Sequence, residues 1–330
     1  MKFKSFFLDE LTLKYNEYIK FKGNTDDQHE LLTINTLKKY LRPDGLIKEI
    51  DVFGYKPKER YLKSTGYYYS NAINYPFGCE FKPITKTEDL YNSETVNVYF
   101  NATVYLRSLG SHHKLSQEEA KKHFRFLPET VKMSAHKKLI ALITKFQLGL
   151  IDETHVINFI LSQFKLDLED FIPQNAFDDN KLTGSSHEFG YWLNYLIDFL
   201  EISQNQNFKN KIEDYFEKIH KIFVRRKMFY HDVVGKNKKC INVSGVILIS
   251  KAFLRYSILE RDFRYANAAL FLIDLVKHLQ LRTNGFIQNT LPIYRGNSKM
   301  KFPSWALNYF LETLILKKLA LNEFKSSIAD

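Results

Sequence analysis

One stretch of the chain constrains its fold more than any other, and its pattern is that of a helical hairpin between Lys238 and Leu281. Apolar residues of the first half recur at the spacing of one helix face: Ile249, Ala252, Phe253 and Tyr256. The second half keeps this period from Tyr265 to Leu279 and adds a polar stripe, formed by Asn267, Asp274, Lys277 and His278. The first helix, by contrast, is apolar on most of its circumference. This asymmetry predicts an inner helix that an outer helix shields from water.

The hairpin pattern recurs along the chain. Inner helices are predicted to begin near Ala135, Gly190, Gly245 and Ser304, at steps of 55, 55 and 59 residues. Two outer helices align at the same step of 55, with Phe208 and Phe216 matching Phe263 and Phe271. A turn motif repeats at an offset of 240: Leu41, Arg42, Gly45 and Ile47 match Leu281, Arg282, Gly285 and Ile287. Six hairpins of this size would occupy all 330 residues, so we predict a repeat architecture.

The N-terminal third is less regular. Residues 5–20 and 28–42 show helical spacing, and residues 95–109 fit either a strand or a helix, of which we predict a helix. Residues 48–93 sustain no helical period, and proline and glycine interrupt them. Tyrosines cluster in this segment: Tyr67, Tyr68, Tyr69 and Tyr75. We therefore predict a tyrosine-rich loop insertion at 48–93, on one rim of the fold.

The segments NVSGVILI, SSHEFGYWL and FPSWALNYFL share an order of polar loop, small residue and apolar helix. In this they resemble the repeats of the α/α toroid superfamily, in which hairpins of an inner and an outer helix close into a ring. Six-hairpin glycosidases, polysaccharide lyases, terpenoid cyclases and lanthionine synthetases have this architecture. The resemblance implies an all-α, (α/α)6-like toroid, with residues 1–330 as a single domain. An open solenoid of hairpins would give the same period.

Composition limits the class of protein and its partners. No segment has the ~18 uninterrupted apolar residues of a membrane span, or the apolar core of a signal peptide, so we expect a soluble, cytoplasmic protein. The net charge of +11 favours an anionic glycan or an acidic protein as partner. The lysines are scattered and carry no nucleic-acid-binding signature, so we do not expect nucleic acid. The oligomeric state stays open.

Several chemistries lack the residues they need. Cys79 and Cys240 lie in unrelated contexts, without the cysteine and histidine ligands that hold the zinc of a lanthionine synthetase. Adjacent His112 and His113 have no carboxylate at ligand spacing. There is also no glycine-rich phosphate loop, so we predict neither a metal nor a cofactor. The acid motif of terpenoid cyclases is missing, which leaves a cyclase-like enzyme as a minor alternative.

Glycan chemistry needs residues that the chain does offer. Loops that precede inner helices converge on the mouth of a toroid, where hydrolysis requires two carboxylates and uronate elimination requires a base and a carboxylate partner. The predicted catalytic residues are Asp178, Asp179, His187, Glu188 and His231. The predicted substrate-binding residues are Asn242, Tyr294, Arg295 and Trp305. Each also has a simpler interpretation; Ser185 or Ser186, for example, can cap a helix that has Glu188 in its first turn.

We therefore expect a carbohydrate-active protein that acts on an anionic polysaccharide or oligosaccharide, by hydrolase- or lyase-type chemistry. The alternative is a non-catalytic toroid module that presents the tyrosines of the insertion to a protein or glycan partner. The two differ at the ring centre. An open central cavity lined by acids, with Asp179 or Glu188 near His187 or His231, favours the enzyme, and a plugged centre favours the module.

Overall fold

The computed structural model describes residues 25–42, 45–54, 56, 61–72, 103–104, 107, 118, 121, 134–163, 185–231, 233, 240–294 and 300–329. Five predicted features lie outside these residues: the helix at 5–20, Tyr75, Asp178, Asp179 and Arg295. Within the described part, no helix is both long enough and apolar enough to span a bilayer.

Helices dominate the described part of the chain. In chain order they are α1 (Asp26–Leu37, followed by the 3-10 turn Lys38–Tyr40), α2 (Leu62–Ala72), α3 (Ala135–Gln147), α4 (Glu153–Gln163), α5 (Ser186–Leu200), α6 (Gln206–Arg226), α7 (Val243–Glu260), α8 (Phe263–Arg282) and α9 (Ser304–Ala329). The short strands are β1 (Leu41–Arg42), β2 (Gly45–Leu46), β3 (Glu49–Asp51), β4 (Ile241–Asn242), β5 (Thr290–Leu291) and β6 (Lys301–Pro303). They form three antiparallel pairs, β1 with β2, β3 with β6 and β4 with β5.

The helices form two concentric layers. The inner helices pack side by side in the order α3, α5, α7, α9 and α2. The outer helices α4, α6 and α8 pack against α3, α5 and α7, the inner helices that precede them in the chain. Between α2 and α3, the described residues Thr103, Val104 and Arg107 are helical, as predicted for 95–109. C-terminal α9 packs against both α1 and α2, so the first and last described helices meet and the toroid, rather than the open solenoid, is confirmed.

Ion pairs join helix α1 to helices α8 and α9. Asp26 of α1 accepts from Lys277 of α8 and lies 3.0 Å from the Lys317 ammonium of α9. Lys277 is therefore buried, although the sequence pattern assigned it to the exposed stripe of the outer helix. A lysine of this polar stripe can be buried because the carboxylate of Asp26, from another helix, neutralises its charge.

Side-chain caps fix where the hairpin helices begin. Ser185 and Asn242 accept from backbone amides of the first turns of α5 and α7, and Asn205 and Asp262 do so for α6 and α8. Both pairs of caps are 57 residues apart, so the predicted step of 55 is wrong for these two hairpins. Matching aromatic residues misled the alignment, because Phe263 is 43% exposed whereas Phe208 is buried.

The repeated turn motif has one structural feature in common at its two sites. Gly45 has a φ of +140° and Gly285 a φ of +97°, values that residues with a side chain rarely adopt. Ile47 and Ile287 follow them and are fully buried. The preceding residues differ, since Leu281–Arg282 end helix α8 whereas Leu41–Arg42 form strand β1.

The segment 48–93 is not a loop insertion throughout, which corrects the prediction. It contains strand β3 and the inner helix α2. Tyr68 of α2 is 1% exposed, and Tyr67 packs against the core, so neither is presented on a rim. The buried residues of α2 include polar ones such as Lys63, Ser64 and Asn71, so no hydrophobic period marks this helix in the sequence.

Helices α5 and α7 approach each other closely at two glycines. A Cβ atom on Gly190 would lie 2.5 Å from Cβ of Leu248. A Cβ atom on Gly245 would lie 2.6 Å from backbone atoms of Ser186 and His187. Since backbone cannot move aside as a side-chain tip can, this contact sets the distance between the two inner helices.

We predict that Gly245→Ala lowers the free energy of unfolding by about 1–3 kcal/mol, because the added methyl group overpacks the contact with α5. In a helix with free space at the glycine, the same change raises the free energy of unfolding by up to about 1 kcal/mol. The sign of the change therefore shows whether the contact with α5 is close. Denaturant unfolding measures it, with Asn267→Ala on the exposed face of α8 as the matched control. A variant as stable as the control would contradict the close approach.

Candidate active site

A buried lysine lies near the N-terminal ends of the inner helices. Lys63, the second residue of α2, is 6% exposed. Its ammonium lies 5.2 Å from the ring centre of Tyr191, 5.4 Å from that of Trp305 and 5.5 Å from that of Tyr61. These rings come from α5, from α9 and from the residue that precedes α2, so three parts of the chain enclose one cation. Aromatic faces attract a cation, which offsets part of the cost of its burial.

The surroundings of Lys63 change its basicity. The pKa of Lys63 is lowered from 10.5 to about 7, mainly by burial and in part by the charges of Lys137 and Lys48, whereas Glu188 opposes the shift. A lysine with a pKa near 7 exchanges its proton at neutral pH, which is a property of lysines at functional sites.

His187 of α5 lies beside this lysine. Its ring contacts Tyr191 edge-on at 4.8 Å between ring centres. Burial holds the pKa of His187 well below 6.5, and the charges of Lys63, His136 and His231 lower it further. The imidazole is therefore neutral at pH 7 and able to accept a proton. Its Nδ1 has no hydrogen-bond partner among the described residues, and the same holds for the indole Nε1 of Trp305.

A cluster of tyrosines fills the ring axis next to Lys63. The hydroxyls of Tyr191 and Tyr309 are in contact, and the Tyr67 ring meets that of Tyr309 edge-on at 4.8 Å between centres. Tyr195 stacks on Tyr191 with 5.8 Å between ring centres. Burial raises the pKa of each of these hydroxyls well above 10, so all four are neutral.

On the other side of the tyrosines lies an open cavity of about 540 Å³, which we call the central cavity. It is lined by residues from α2, α3, α5, α7 and α9 and by Val104 and Arg107. Asp198 and Glu312 supply its acids. Asp198 is 2.7 Å from Arg255 and 3.3 Å from Arg107, and Glu312 is 2.5 Å from Lys251. In this part the centre of the ring is thus open and lined by acids, and Glu188 is not among its described lining residues.

Four predicted site residues lie at or near Lys63. His187, Glu188 and His231 are close enough for their charges to interact within this group, and Trp305 contacts the lysine directly. Glu188 also has the simpler role considered above, because its backbone amide donates to Ser185 Oγ at 3.3 Å. We name Lys63 with Tyr61, His187, Tyr191 and Trp305 the Lys63 site.

Two predicted residues lie elsewhere. Asn242 caps α7, with its side-chain oxygen accepting from the amide of Gly245 at 2.9 Å, and it is 6% exposed. Tyr294 is partly exposed in the turn after β5. Within the described ranges no three or more His, Cys, Asp or Glu side chains group as metal ligands.

Sequence reasoning missed Lys63 and the acids of the central cavity. Lys63 is one of 48 lysines and arginines, and nothing in its immediate sequence marks it. Asp198, Lys251 and Glu312 do carry a signal, because each is a charged residue within an otherwise apolar inner helix. A charge at such a position must face either a partner or a cavity.

The low pKa of Lys63 makes a prediction about stability. Below pH 7 the lysine is charged in both states, and the full cost of burying the charge lowers the free energy of unfolding. As pH rises from 7 towards 10.5, only the unfolded state still binds the proton, so this cost is progressively lost. We predict that Lys63→Met is more stable than the wild type at pH 6, by on the order of 2 kcal/mol, and that this gain shrinks by pH 9.5.

Denaturant unfolding at the two pH values measures this difference. Lys63→Arg is the matched control, because a guanidinium stays charged at both pH values and cannot relieve the cost of burial. A Lys63→Met gain that is the same at pH 6 and pH 9.5 would show that the lysine titrates as it does in the unfolded chain.

Comparison with known proteins identifies the architecture. No protein-family model and no curated protein matches this sequence. Among solved structures, an unsaturated glucuronyl hydrolase specific for heparin superimposes with a TM-score of 0.62 at 11% identity, over 89% of this chain and 96% of that one. A possible member of the GH105 family from Klebsiella pneumoniae gives 0.61 at 10% identity, over 91% and 95%. A polysaccharide lyase gives 0.58 at 11% identity, over 90% and 98%. At such identities the likeness shows the fold alone, and by that fold the chain is an α/α toroid of the kind found in glycosidases and polysaccharide lyases.

Proposed function

We propose that the protein acts on an anionic oligosaccharide or polysaccharide, and that Lys63 binds the carboxylate of a uronate residue. The observation that carries this proposal is the enclosed, titratable ammonium of Lys63 beside a neutral His187. A carboxylate that approaches this ammonium would stabilise its charged form. The basic net charge of the chain would attract such a substrate.

The groups around Lys63 suit a sugar. Trp305 and Tyr61 offer aromatic faces, with 5.5 Å between their ring centres. Aromatic faces of this kind pack against the apolar face of a sugar ring. His187 and Glu188 are partly exposed beside the buried ammonium, so this end of the ring has reachable surface.

The residues support two related reactions on a uronate. In elimination, neutral His187 would take the proton on the carbon next to the carboxylate while Lys63 stabilises the charge that develops there. The C4–O bond to the leaving sugar would then break as the 4,5 double bond forms, and the leaving oxygen would take a proton from water. In hydrolysis, two carboxylates would act on the glycosidic bond, and Glu188 with Asp178 or Asp179 remain the candidates. Solved structures with this fold include both an unsaturated glucuronyl hydrolase and a polysaccharide lyase, which supports this substrate class.

The alternative of a non-catalytic module loses its main argument. That interpretation required the tyrosines of 48–93 on an exposed rim, whereas Tyr68 is buried and Tyr67 lies at the ring axis. The rest of that segment carries one described large apolar residue in the open, Phe53 at 83% exposure. No observation on the described residues favours a terpenoid cyclase-like reaction.

We predict that Lys63→Met weakens binding of a heparin-derived unsaturated uronyl disaccharide by about tenfold to a hundredfold, because a charge-assisted hydrogen bond is lost. Calorimetric titration measures it, and Lys221→Met, on the exposed face of α6, removes the same charge far from the site. Ultraviolet absorbance of the 4,5 double bond separates the reactions, since it falls on hydrolysis of the unsaturated disaccharide and rises on elimination from intact heparin. Equal binding by wild type and Lys63→Met would exclude the proposed role of Lys63.

A further inference from the structure

We propose that the central cavity is a second binding site, separate from the Lys63 site, and that it takes a neutral hydroxylated ligand the size of one or two sugar residues. Its volume of about 540 Å³ is within the range of small-molecule sites. The residues Tyr191 and Tyr309, with their hydroxyls in contact, line the cavity on one side and contact His187 on the other. The two sites therefore share a wall, and each binds a ligand of its own.

The walls of the cavity combine aromatic and charged groups. Tyr67, Tyr191, Tyr195 and Tyr309 contribute rings, and Leu248, Ile315 and Leu316 contribute aliphatic surface. Between them are charged side chains that are only partly buried: Arg107 is 24% exposed, Asp198 21% and Glu312 14%. Rings that cover the apolar face of a sugar, next to charged groups that bond its hydroxyls, are the usual composition of a polar-ligand pocket.

Every charged side chain in the cavity wall is already paired, which argues for a neutral ligand. Arg255 pairs with Asp198 and also with Glu201 at 2.8 Å, Arg107 shares Asp198, and Lys251 pairs with Glu312. Three cations thus pair with three carboxylates, of which Asp198 and Glu312 line the cavity. A charged ligand would have to displace one of these pairs.

Two side-chain amides in the cavity wall have an oxygen that accepts no hydrogen bond from the described residues. Asn194 donates its two amide hydrogens to the backbone oxygens of Gly190 and Leu248, both at 2.8 Å, which fixes the orientation of the amide. Its Oδ1 has no partner among the described residues. Asn71 is in the same position, since it donates to the backbone and side-chain oxygens of Asn308 while its own Oδ1 is unpaired in the described part. Both oxygens are themselves buried, so these amides hold α5 against α7 and α2 against α9 in the cavity wall and do not reach a ligand.

The test uses methyl β-glucoside, methyl β-galactoside and cellobiose as probes on the full chain, with saturation-transfer NMR and calorimetric titration. We expect at least one of them to bind, and to bind at least tenfold more weakly to Leu316→Trp, whose added ring fills the cavity. Leu31→Trp, at a 59% exposed position of α1, is the matched control. Glu312→Gln keeps the shape of the wall while it removes one charge, and we expect it to weaken binding as well, which guards against misfolding of the tryptophan variant.

Lys63→Met separates this inference from the proposed function, because it should leave binding of the neutral glycoside unchanged while it weakens binding of the uronyl disaccharide. Three results would each overturn the inference. They are an absence of binding by all three probes, binding that survives both Leu316→Trp and Glu312→Gln, and tighter binding of glucuronate than of the neutral glycosides in the cavity.

Discussion

Inner helices that are buried on every side need a ring of other helices around them, and this requirement shapes the whole structure. Helix α7 is the clearest case, since its core residues face α5, α8 and α9 at once. Two of its buried serines satisfy their hydroxyls within the helix, because Ser250 donates to the carbonyl of Ile247 and Ser257 to that of Leu254, both at 2.8 Å. At Gly245 the backbone of α5 lies against α7 with no room for a side chain. Such a helix is stable only when neighbours cover it completely, which a closed toroid provides.

Closure of the ring also decides where chemistry can take place. Because each inner helix is covered on its sides, polar groups on these helices can meet a ligand only at the ring axis or at the two ends of the ring. The axis is filled by four neutral tyrosines, and the charged residues divide around them. Lys63 lies at the N-terminal end near Lys48 and Lys137, whose charges lower its pKa, and the paired charges of Asp198 and Glu312 lie in the central cavity. The proposals above thus give one fold two sites, one for an anionic ligand and one for a neutral ligand.

The fold could be predicted from the sequence largely because two signals are local. Helical period identifies the outer helices, whose faces differ, and the serines at 185–186, which can cap a helix, mark where α5 begins. Asn242 caps α7 in the same way, although its place in a loop suggested a substrate-binding role. Helix α2 was missed because its buried residues include polar ones, so no hydrophobic period marks it. The Lys63 site could be predicted only in part, through His187 and Trp305, because loops before inner helices converge in a toroid. The low pKa of Lys63 comes from burial among rings that are distant in sequence, such as that of Trp305, and no local sequence pattern indicates this burial.

The central claim is that burial among aromatic rings makes Lys63 a titratable cation that binds a carboxylate. Direct titration of lysine side chains by NMR, with Lys63 assigned by comparison with Lys63→Met, tests it most directly. The structure predicts a pKa of about 7 for Lys63 in the free protein, and a higher pKa once a uronyl disaccharide is bound, because a carboxylate stabilises the charged form. A pKa near that of an exposed lysine, unchanged by the disaccharide, would contradict the account.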